Sequence, residues 1–99
     1  MKGNFDSIIN GKKPVLIDFH AQWCGPCKSQ SPIIKELARD IGDQVRIIKI
    51  DIDKNQNIAQ RYSVRSVPTL MLFKDGQVVW QQAGLQTKEQ LKRVVQQYA

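Results

Sequence analysis

Val15-Leu16-Ile17-Asp18-Phe19-His20-Ala21-Gln22-Trp23-Cys24-Gly25-Pro26-Cys27 passes from a mostly apolar, β-branched run to two cysteines separated by two residues. The run from Val15 to Phe19 is too short for a helix and reads as a central strand, of the kind buried on both faces in a parallel sheet. Beyond the cysteines the period changes. Ile33, Ile34, Leu37, Ala38 and Ile41 mark one helical face, and Gly42 stands where a C-cap is expected. The helix should start near Pro26, because proline does no harm in a first turn whose N–H has no partner. Pro32 falls inside and should bend it.

The cysteine pair therefore sits at a strand-to-helix junction, where backbone N–H groups favour negative charge and so a thiolate. Only the thiolate attacks a disulfide. Cys24, expected to be the more exposed of the two, reads as the nucleophile, and Cys27, one turn further in, as the resolving thiol. Gly25 and Pro26 keep the turn tight enough for the sulfurs to meet. The same spacing also serves as half of a zinc site, but only His20 could join it and no second pair exists, so no metal is expected. Asp18 lies in an otherwise apolar strand, where a charged carboxylate costs several kcal/mol unless paired or protonated. It is either the partner of a structural salt bridge with Lys49 or a proton acceptor for the Cys27 thiol.

Toward the N-terminus, Phe5, Ile8 and Ile9 predict a short helix over residues 4 to 10, closed by Asn10-Gly11. Val45 to Ile52 predicts a second buried strand, followed by a short helix through Ile58, Ala59 and Tyr62. Thr69 to Phe73 and Gln77 to Gln82 predict two antiparallel strands about Asp75-Gly76, a dipeptide suited to positive φ. Trp80, in this hairpin, reads as core or cross-strand packing. Thr87 and Gln90 form a capping-box pattern ahead of the stripe Leu91, Val94, Val95 and Tyr98. This order predicts an α/β fold in which a mixed sheet is flanked by helices on both faces.

The chain has 99 residues, 41% of them hydrophobic, which suits one domain over residues 1–99 with a single core. Two cysteines cannot form the disulfide framework of a small secreted scaffold. A net charge of +6 raises the question of nucleic acid, but the basic residues are dispersed from Lys2 to Arg93 in runs no longer than two, so no nucleic-acid partner is expected. No stretch nears the roughly 20 apolar residues of a membrane span, and the start lacks an apolar signal core. The expected location is the cytoplasm, with an exported mature domain stripped of its signal as the alternative.

Trp23-Cys24-Gly25-Pro26-Cys27-Lys28 resembles the active-site signature of the thioredoxin family residue for residue. The similarity extends through residues 5 to 98. Asp18 resembles the family's buried strand aspartate, Lys49 the lysine near it, Pro32 the helix kink, Val67-Pro68-Thr69 the cis-proline loop facing the cysteines, and Gly84 the glycine bordering the substrate groove. The resemblance implies a thioredoxin-fold monomer that reduces disulfides in protein substrates and is recharged by a thioredoxin reductase, with no metal or organic cofactor of its own. It implies that Asp18 exchanges the Cys27 proton. It also implies that Trp23, Gly25, Pro26, Val67, Pro68 and Gly84 border the substrate, Pro68 through a cis bond that exposes backbone polar groups to an extended peptide. Trp23 reads equally as an apolar platform or as a surface-packed residue, and Lys28 as a modest depressor of the Cys24 pKa or as a solvated cation. Two departures stand out: the N-terminal strand is short or missing, and His20 occupies a position the family commonly fills with an aromatic or small residue. The alternatives are a disulfide oxidase or isomerase in an oxidising compartment, and a non-catalytic module that binds partners in the Pro68 groove.

Overall fold

Strand β1, Val15–His20, sends alternate side chains to opposite faces of the sheet, and this alternation divides the core. In the computed structural model, which describes residues 4–99, Val15, Ile17 and Phe19 pack with Phe5, Ile9, Ile50, Met71 and Phe73. Leu16 packs with Leu70, Leu72, Ile34, Leu37, Ile41, Leu91 and Val95. The first group is covered by α1, Phe5–Ile9, and α3, Gln56–Arg61; the second by α2, Gly25–Ile41, and α4, Lys88–Tyr98. Helices therefore lie on both faces, as the order of elements predicts.

The sheet is completed by β2, Arg46–Asp51, β3, Thr69–Lys74, and β4, Gln77–Ala83, in the order β2-β1-β3-β4. β1 pairs parallel with β2 and antiparallel with β3, and β3 pairs antiparallel with β4. Asp75 and Gly76 both take positive φ (53° and 78°), the tight turn their sequence predicts. Trp80 lies opposite Leu72 and packs against the core from the outer strand.

One expectation is revised and one refined. β2 is half-exposed, with only Ile50 fully buried, because it forms an edge of the described sheet and has β1 as its one strand neighbour there. Gly42 is the C-cap of α2, as expected, but in a right-handed conformation: its φ is −52°, and the chain tightens into a 3₁₀ turn over Gly42–Gln44. Among the described residues no strand precedes α1 and the sheet has four strands, while Met1 to Gly3, where a shortened strand would fall, lie outside the described residues.

Helix α4 starts as predicted, with Thr87 Oγ1 accepting the Gln90 N–H at 3.1 Å. Removing this cap with Thr87→Ala should cost about 1 kcal/mol and lower Tm by roughly 4–8 °C in a domain of this size. Thermal unfolding followed by circular dichroism checks it, and an unchanged Tm would show that tertiary packing alone holds the helix end.

Candidate active site

Cys24 is the N-cap of α2, and Cys27 lies in the first turn beside Pro26. The two are joined by a disulfide. The Cys27 N–H donates to Cys24 Sγ at 3.1 Å, so a helix N-terminal donor with no backbone partner is aimed at this sulfur, an arrangement that favours negative charge there. The expected difference in exposure is absent. Cys24 is 3% and Cys27 5% exposed, since Val67, on the loop before β3, covers the pair and its carbonyl oxygen stands 3.5 Å from Cys24 Sγ. What distinguishes Cys24 is the N-cap position and its N–H donor. The Val67-Pro68 bond is cis, as the resemblance implies.

Asp18 belongs to the face of β1 that meets α2 and α4, and it is fully buried. It is flanked in register by Lys49 on β2 and Leu70 on β3. Among the described residues neither carboxylate oxygen has a hydrogen-bond partner. Burial pushes its pKa above the ordinary carboxylate value, and the charges of Lys49 and His20 offset this only in part. The Lys49 salt bridge is not formed. Lys49 is exposed and its Nζ donates to Ser31 Oγ at 2.9 Å, so it reaches Asp18 only through space.

Trp23 is 70% exposed, and its Nε1–H donates to Asp53 Oδ2 at 2.9 Å. Asp53 is held in turn because its N–H, at 2.8 Å, and that of Lys54, at 3.3 Å, both donate to Asp51 Oδ1. The indole is thus held exposed next to Cys24 in sequence, and Asp53 is a partner of Trp23 that sequence reasoning missed. Gly25 and Pro26 are exposed at the start of α2, and so is Lys28. Gly84 takes φ +92°, which favours glycine, and its N–H donates to the Pro68 carbonyl at 2.8 Å. The structure therefore brings Trp23, Val67 and the cysteines together, and ties Gly84 to the cis-proline loop. Among the described residues no three His, Cys, Asp or Glu side chains gather as a metal site, and no helix is long and apolar enough to cross a membrane.

The family model for thioredoxin matches residues 1–97. The chain belongs to the thioredoxin family. It is 48% identical over 84 residues to a thioredoxin of Bacillus subtilis strain 168, covering 85% of this chain and 81% of that protein. Over 96 residues it is 44% identical to a thioredoxin of Haemophilus influenzae, covering 96% and 90%. A solved mutant thioredoxin from Halobacterium salinarum NRC-1 superposes with a TM-score of 0.90 at 40% identity, covering 99% of this chain and 85% of that one. Membership in this family, together with the Cys24–Cys27 disulfide, makes the chain a thiol–disulfide oxidoreductase of the protein-disulfide reductase type.

Proposed function

We propose that Cys24 is the attacking thiolate and Cys27 the resolving thiol in the reduction of protein disulfides, with Asp18 as the proton acceptor. The observation that carries this is the Cys27 N–H donated to Cys24 Sγ at the helix N-terminus. In the dithiol form, the Cys24 thiolate attacks one substrate sulfur. A Cys24–substrate bond forms, the substrate disulfide breaks, and the leaving sulfur takes a proton. Asp18 then accepts the Cys27 proton, and Cys27 attacks Cys24 Sγ. The second substrate thiolate departs, and the protein has given up two electrons as its own disulfide. Membership in the family supports disulfide-containing proteins as substrates and a thioredoxin reductase as the source of replacement electrons. The single domain, monomeric state and cytoplasmic location form part of the same reading.

Equilibration against glutathione tests the direction. A potential near the roughly −270 mV of thioredoxin fits a reductant, whereas one near roughly −120 mV would assign the chain to disulfide formation.

His20 follows Asp18 on the same strand face and is half-buried, and its charged form favours the ionised carboxylate. His20→Phe removes that cation, so the ionisation of Asp18 and the rate of Cys27 resolution should both move to higher pH. Stopped-flow profiles from about pH 5 to 9 check the shift. Superimposable curves would leave His20 with packing alone.

A further inference from the structure

Gln30 is fully buried in α2, on the same stripe as Cys27, Ile34, Leu37 and Ile41. A primary amide there costs free energy unless both of its ends are bonded. Both are, and to a single residue: Nε2 donates to the Gln86 carbonyl at 3.0 Å, and Oε1 accepts the Gln86 N–H at 2.8 Å. Gln86 lies in the loop between β4 and α4. Its own side chain turns back, with Nε2 donating to the Gly84 carbonyl at 3.1 Å. Gly84 in turn holds the Pro68 carbonyl, and Val67 covers Cys24. Cys24, Cys27 and Gln30 follow one another along the start of α2, and the bonds from Gln30 to Gln86, Gln86 to Gly84 and Gly84 to Pro68 lead back to Val67 over Cys24.

Leu85 is the one residue of the loop between the two anchored positions, and it is 51% exposed. A large apolar side chain on a backbone held by bonds on either side is partly preorganised for contact, since the entropy of ordering that backbone has already been spent in folding.

We propose that Gln30 is a positioning residue for substrate selection: by gripping both backbone groups of Gln86 from the buried face of the redox helix, it fixes the Gly84–Leu85 wall of the groove at a set distance from Cys24. The substrate it selects is a disulfide within an extended polypeptide segment, long enough to reach from Cys24 to Leu85. This rests on the reading of Cys24 as the attacking thiol. A small disulfide that engages Cys24 alone should be indifferent to the wall, so the effect is read in the ratio between the two substrate types.

Gln30→Met keeps the length and apolar stem of the side chain and removes both bonds. With dithiothreitol as electron source, the ratio of KM for insulin to KM for cystamine should rise about tenfold, the equivalent of one such contact. Amide exchange at Gln86 should accelerate in the same variant, because its N–H loses a buried acceptor. Leu85→Ser, at an exposed position that does not endanger the fold, should raise the same ratio without changing exchange at Gln86. An unchanged ratio in Leu85→Ser, or equal loss on both substrates in Gln30→Met, would overturn the proposal. Failure of the unmodified protein to reduce insulin at all would instead strike the underlying reading of the dithiol.

Discussion

Cys24→Ser should abolish reduction of a protein disulfide, by roughly 1,000-fold or more, while Cys27→Ser should stop after one half-reaction with substrate covalently attached. A serine hydroxyl has too high a pKa to supply an anion near neutrality, so replacing the attacking sulfur removes the first bond-forming step. Replacing the resolving sulfur leaves that step intact, because the helix N-terminus at position 24 is unchanged and the remaining sulfur still caps it. What disappears is the second attack. Intact-mass measurement of each variant incubated with a disulfide-bonded protein separates the two outcomes. A stable adduct on Cys24→Ser, and none on Cys27→Ser, would reverse the assignment. The near-equal burial of the two sulfurs makes this experiment informative, since accessibility alone does not choose between them.

Asp18→Asn should slow resolution of that adduct on the order of 10- to 100-fold near neutral pH and change its formation little. General-base catalysis commonly contributes about 100-fold or more. The effect here falls at or below that range because a thiol of pKa about 8.5 also loses its proton to solvent. The same substitution should affect folding. A carboxyl whose pKa rises on folding holds its proton more tightly in the native state. Its contribution to stability is therefore full below the ordinary value of 3.8 and is lost as pH rises through the higher native value. Oxidised Asp18→Asn protein should accordingly be more stable than the parent by roughly 1–4 kcal/mol at pH 8, a gain comparable to replacing other buried charges with neutral groups. The gap should close near pH 3. Urea unfolding at both pH values checks this, and equal stability at pH 8 would show that the ionised carboxylate is solvated after all.

The features legible in the sequence are those set by local pattern. The alternation in Val15–His20, the helical stripe after Cys27, the Asp75-Gly76 turn and the Thr87 cap each depend on neighbours a few residues away. The cysteine motif adds chemistry that spacing alone specifies. What escaped is decided by contacts across the fold. The cover over Cys24 comes from Val67, 43 positions on, and the partner of Trp23 is 30 positions away. The half-exposure of β2 follows from its edge position, which no residue within Arg46–Asp51 announces. Lys49 lies opposite Asp18 in register, yet its flexible stem carries the ammonium outward to Ser31, a choice made by solvation and not by strand pairing. Gln30 left one trace, since it is the polar residue on an otherwise apolar stripe; its partner lies 56 positions further along the chain.

The alternation along β1 ties the chemistry of this protein to arithmetic parity. Even-numbered positions 16, 18 and 20 face the redox helix and odd-numbered ones face the opposite core. Inserting or deleting one residue between Val15 and Asp18 would exchange the two sets, turning the carboxylate into the aromatic cluster and an aliphatic side chain toward the dithiol. Point substitutions in this strand can be graded in effect, but changes of length cannot. Variation in length within this lineage should therefore collect in connections such as residues 10–13, where an added residue alters no side chain's facing, and be excluded from the strand that carries Asp18.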